Sequence, residues 1–102
     1  MRGGWGSMST ALEEKLERDL ALTGRALEKV KVIAPEQSYV RKIAQDFLGM
    51  ARSYFEDAGH FRSEGRALEA FAAVNYAHGW LDAGARLGVL DVGGDDRLFT
   101  LL

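Results

Sequence analysis

The chain contains no cysteine among its 102 residues. That absence removes disulfides, thiolate chemistry and cysteine-ligated zinc together, and it suits a reducing, cytoplasmic setting. Side-chain amides are almost as scarce: Gln37, Gln45 and Asn75 are the only three, a composition that points towards a thermophilic source. No run reaches about 18 uncharged apolar residues, which argues against a membrane span. The opening MRGGWGS has no apolar signal-peptide core. Runs of like charge are missing too. The 13 basic and 15 acidic residues are dispersed and leave a formal charge of −2. Without a basic stripe to hold phosphates, nucleic acid is disfavoured as a partner.

What remains is 47% hydrophobic and 27% charged, the composition of one globular domain with a modest core. Residues 1–8 read as an appended, disordered leader, residues 9–90 as the folded unit and residues 91–102 as a tail. The expected fold class is all-α, an antiparallel three-helix bundle with long helices and a short non-helical apolar C-terminal tail.

Thr10 and Glu13 have capping-box spacing, so the first helix is expected to start there and run to about Ala34. Leu12, Leu16, Leu20, Leu27 and Val30 fall near one side, with Glu14/Arg18 and Lys15/Asp19 as i,i+4 pairs outside it. Pro35, the only proline, would end that helix and start the next. The second helix is expected over residues 36–62. Val40, Ala44, Phe47, Ala51, Tyr54, Ala58 and Phe61 make a heptad-like stripe along it. Gly65 supplies a positive φ for a tight reversal into a third helix over residues 66–87.

A hairpin centred near Glu64 and Gly65 predicts the pairs Phe61/Leu68, Ala58/Phe71, Tyr54/Asn75, Ala51/His78, Phe47/Asp82 and Ala44/Ala85. A second stripe on the third helix, Ala67, Ala70, Val74, Ala77, Leu81 and Gly84, is nearly all small and would receive the first helix. A third, with Glu69, Ala73, Tyr76, Trp80, Ala83 and Leu87, has no partner inside three helices. Its aromatic and leucine content calls for a cover. The tail ends in Leu98, Phe99, Leu101 and Leu102, and is expected to dock on that face or on a partner.

His78 and Asp82, four apart, have the spacing of a carboxylate-oriented base or half a metal site. A self-satisfied buried polar pair is the preferred reading, because buried polar groups are hydrogen-bonded whether or not they react. Tyr54 and Asn75 would hydrogen-bond across the hairpin and complete a possible polar pocket. His60 would face about Glu69, roughly 13 Å along the helix from His78, so the two histidines should not share an ion. Metal is disfavoured and no cofactor is implied. No phosphate loop, nucleophile elbow or HExxH motif occurs. The arginine that helical-bundle ribonucleases place a few residues before a histidine is absent too. One tetratricopeptide-type hairpin fits around Gly65, but a solenoid needs about three.

The segments YFEDAGHFRSEG (Tyr54 to Gly65) and AFAAVNYAHGWLDAGARLG (Ala70 to Gly88) resemble a small archaeal family catalogued as domain of unknown function 357. Asp57-Ala58, Gly65 and the string Tyr-Ala-x-Gly-Trp-Leu-Asp (Tyr76 to Asp82) carry the likeness, over roughly the last two-thirds of the chain. The resemblance implies a compact bundle of three long helices, no established activity and no catalytic residue to transfer. The expected function is a non-enzymatic helical interaction or oligomerisation module, binding itself or another protein through Tyr76, Trp80, Leu87, Leu98 and Phe99. The alternative is a ligand-binding or catalytic domain around Tyr54, Asn75, His78 and Asp82.

Overall fold

Three helices carry the fold in the computed structural model, which describes residues 6–93 and the side chains of residues 11–93. They are α1 (Gly6–Lys29), α2 (Tyr39–Ser63) and α3 (Ala67–Leu87). The architecture is an all-α three-helix bundle in which α2 and α3 form a long antiparallel hairpin. Leu98 and Phe99 lie outside the described residues.

Local chemistry sets the helix ends. Gly65 has φ +76, and the chain leaves α2 through paired bonds, Arg66 N donating to Phe61 O at 2.9 Å and Gly65 N to Arg62 O at 3.0 Å. Gly88 repeats the arrangement after α3, with φ +79, Val89 N donating to Gly84 O and Gly88 N to Ala85 O, both at 3.0 Å. Both are Schellman closures, in which a left-handed residue satisfies the last carbonyls.

Three boundaries differ from expectation. Helix α1 already includes Thr10, so no capping box forms there; nothing between Gly6 and Thr10 stops a helix, and α1 begins at Gly6. It ends at Lys29 rather than near Ala34. The sequence Val30-Lys31-Val32-Ile33 carries three β-branched residues, which favour extended backbone, and it finds a partner. Strand β1 (Lys31–Val32) pairs antiparallel with β2 (Leu90–Asp91), Lys31 opposite Asp91 and Val32 opposite Leu90. Pro35 does not start α2. Ser38 does, its hydroxyl accepting from Arg41 N at 3.1 Å. Arg41 in turn donates through Nε and an Nη to Ala34 O, at 3.2 and 2.9 Å, fastening the connecting loop to the helix it precedes.

The hairpin register holds, but α3 is rotated from the expected facing. Phe47 meets Trp80 edge to face, ring centroids 5.0 Å apart, and Tyr54 stacks on Tyr76 at 5.1 Å. The expected Phe47/Asp82 and Tyr54/Asn75 pairs are thereby replaced. In this register Ala44 comes level with Gly84, Ala51 with Ala77 and Ala58 with Ala70. All six are buried. The small residues of the stripe assigned to α1, Ala70, Ala77 and Gly84, therefore line the seam with α2, where small residues on both sides permit close approach, while Val74 and Leu81 of that stripe share clusters with Leu16 and Ala26 of α1.

Packing gathers into two clusters. One, near the Gly65 turn, contains Leu16, Ala58, Ala70, Ala73 and Val74. The other, at the strand end, contains Ala26, Ala44, Leu48, Ala51, Leu81, Val89 and Leu90. The core thus extends past Gly88 as far as Val92. Leu90 seats directly on Gly84, and a methyl added there would lie 2.6 Å from Leu90 Cγ. Gly84→Ala should destabilise the protein by about 1–3 kcal/mol through overpacking, although alanine is the better helix former. Urea unfolding measures this, and the loss should shrink when Leu90→Ala is already present. Gly59→Ala, where the added methyl meets nothing within 4 Å, should instead gain up to about 1 kcal/mol.

Candidate functional site

Two groups of residues qualify by chemistry, one aromatic and one polar, on opposite sides of the α2/α3 seam. The aromatic group follows from the seam itself. With alanines and Gly84 filling the closest approach, the large rings can fit only at its margins. Tyr54 and Phe47 on α2 meet Tyr76 and Trp80 on α3 in two successive layers, and each such pair adds about 0.5–1.5 kcal/mol beyond its area. Trp80 is half-buried and packs against the strand-end cluster, so the expected uncovered face is partly covered by Phe47. Tyr76 remains 61% exposed and Leu87 62% exposed.

The expected polar pocket does not assemble. Asn75 is exposed, and Tyr54 spends its ring on Tyr76. Asp82 is partly exposed and accepts from Arg86 Nε at 2.9 Å. Of the four, only His78 is buried, at 1% exposure.

Its buried polar companions come from α1. Asp19 and Thr23, at 3% and 1% exposure, join His78 as the buried polar side chains among the described residues. Asp19 was expected outside as one half of a surface pair. The pair with Lys15 does form, at 3.2 Å, but only the lysine reaches solvent. The missed signal is position: Leu16, Asp19, Thr23 and Ala26 recur at helical spacing, so Asp19 sits on the docking face of α1.

Electrostatics make His78 a neutral imidazole near pH 7. Burial pushes its pKa below the ordinary histidine value, while the carboxylates of Asp82 and then Asp19 pull the other way without overcoming it. Among the described residues no three of His, Asp and Glu form a group that could hold a metal ion. No helix there is long and apolar enough to cross a membrane.

The model of a family described as "Protein of unknown function (DUF357)" matches residues 18–90, and the chain belongs to that family. No curated protein and no solved structure matches it.

The lowered histidine pKa has a consequence for stability. The unfolded chain binds a proton at His78 more readily than the folded one, so this contribution is full above about pH 6.5 and is lost as pH falls through the folded value. Urea titrations at pH 7.5, 6.5 and 5.5 should show falling stability, and His78→Gln should flatten the slope across that window.

Proposed function

We propose that this member of the DUF357 family is a non-enzymatic helical module that associates with a second copy of itself through the outer side of its α2/α3 hairpin. The observation that carries the reading is the exposed Tyr76–Leu87 strip beside the two aromatic layers. By helical periodicity Ala72, Tyr76, Ala83 and Leu87 share one side of α3. The strip from Ala72 to Leu87 is about 22 Å long at the helical rise. Residues 70–81 of α3 contain no Asp, Glu, Lys or Arg.

Charge favours a second copy over a partner of opposite sign. Glu69, the acidic residue of α3 on the strip's side, is neutralised locally by Arg66. A two-fold interface brings the same patch against itself and so requires a patch that does not repel itself. Asp46 and Asp57 of α2 are exposed and periodicity sets them at its rim, so salt should relieve their repulsion and tighten association. The dispersal of the protein's polar groups supports the non-enzymatic reading: Asn75 is exposed and Tyr54 stacks on Tyr76, while His78 is buried. The cysteine-free composition supports a reducing, cytoplasmic setting.

Sedimentation over a concentration series tests the proposal. The wild-type protein should dimerise, more tightly at higher salt. The double substitution Tyr76→Glu, Leu87→Glu should leave folded monomers, because both side chains are largely exposed, with stability lowered by about the 0.5–1.5 kcal/mol of the lost Tyr54–Tyr76 stack. A wild-type monomer at every concentration, or a double variant that still dimerises, contradicts it.

A further inference from the structure

We propose that the buried layer formed by His78, Asp19 and Thr23 is a proton-sensitive latch that holds α1 on the α2/α3 hairpin. Among residues 11–29, α1 has four buried positions, Leu16, Asp19, Thr23 and Ala26, and the middle two are polar. Leu16 belongs to the turn-end cluster and Ala26 to the strand-end cluster, so the polar pair divides the apolar docking surface. His78 occupies the matching place on α3, between Val74 of one cluster and Leu81 of the other.

The hairpin is built differently. Every buried position of α2 is alanine or leucine, and His78 is the one buried polar residue of α3. The α2/α3 seam is apolar, whereas the docking of α1 runs through a titratable layer. The charged groups facing that layer are Asp19, which carries Lys15, from α1 and Asp82, which carries Arg86, from α3. Helix α2 contributes no buried charge, and Lys31 and Asp91 of the strands are exposed.

A proton on His78 places a cation in the layer, and desolvation of that cation outweighs the two carboxylates. Lifting α1 admits water to the ring and removes the penalty. The N-terminal part of α1 is the part free to move. Its ion pair with the hairpin, Glu17 with Arg62, is half exposed and contributes little. Its other end is fastened through β1 and β2. Gly24, packed so closely on the ring of Phe55 that an added methyl would lie 3.2 Å from its Cζ, sits just past the polar layer, where the moving part would pivot. The proton therefore acts on one helix and leaves the hairpin closed.

Amide hydrogen exchange, corrected for the intrinsic effect of pH, tests the latch, with an imidazole titration of His78 read by NMR in the same protein. As pH falls from 7.5 to 5, protection of residues 11–23 should drop about tenfold for each unit by which the folded pKa lies below the unfolded one. The midpoint should be that of the His78 ring, and the 44–58 and 70–81 segments should keep their protection. His78→Gln should abolish the differential loss. Should that variant not fold, Asp19→Asn must shift the ring midpoint and the α1 midpoint together. Protection in α1 that ignores the His78 titration overturns the proposal, as does loss of protection by all three helices at one midpoint. The oligomeric state does not enter either outcome, so the latch and the self-association fail independently.

Discussion

The interaction on which the rest of the molecule depends is the seam of small residues between α2 and α3. Ala44, Ala51 and Ala58 recur every seven positions on one helix; Ala70, Ala77 and Gly84 do so on the other, and the hairpin brings them level. Each of the five alanines is fully buried. Contacts between small side chains bring the two backbones close together, and dispersion summed along the seam holds them there. A larger residue in the seam would separate the helices and break the layers on both margins. The two glycine-closed helix ends keep the hairpin in register, Gly65 at the turn and Gly88 where the chain folds back to seat Leu90 on Gly84.

Closeness at the seam decides where everything bulky goes. On one margin the rings of Phe47, Tyr54, Tyr76 and Trp80 form an outer ladder. On the other, Leu48, Phe55, Val74, Leu81 and His78 form the surface that receives α1. The two sides differ in character. The outer side is aromatic, partly exposed and poor in charge. The inner side is covered by a helix of which two of the four buried positions among residues 11–29 are polar. Both proposed behaviours, association on the outer side and proton-dependent release on the inner, follow from this division.

The hairpin was legible in the sequence because its signals are local and strong. Gly65 marks the reversal, and the alternating stripe on α2 has few competitors. The facing of α3 was not legible, because that helix is apolar on nearly every side. With small, aliphatic and aromatic residues all around the wheel, periodicity offers three stripes of similar standing. The choice among them is made by close approach, which only the folded pair reveals. The β1/β2 ladder was hidden for another reason. Two-residue strands are too short to show alternation, and Val30 to Ile33 was absorbed into the preceding helix. Asp19 was misplaced because a carboxylate four residues from a lysine reads as a surface pair; the pair is real, but one member is inside. Membership of the family was legible from the Tyr76 to Asp82 string, and it strengthened the fold while leaving the activity open.

The account's central claim is that the alanine seam expels the aromatic rings to an outer margin, where a second copy meets them. A mixed sample of isotope-labelled and unlabelled protein, examined for nuclear Overhauser effects filtered by label, measures this directly. The account predicts contacts within one chain between Phe47 and Trp80 and between Tyr54 and Tyr76, together with contacts between chains at the Tyr76 ring and the Leu87 methyls. Rings of Tyr76 and Trp80 that show no contact with α2 of their own chain, or a margin silent between chains at millimolar concentration, would contradict it.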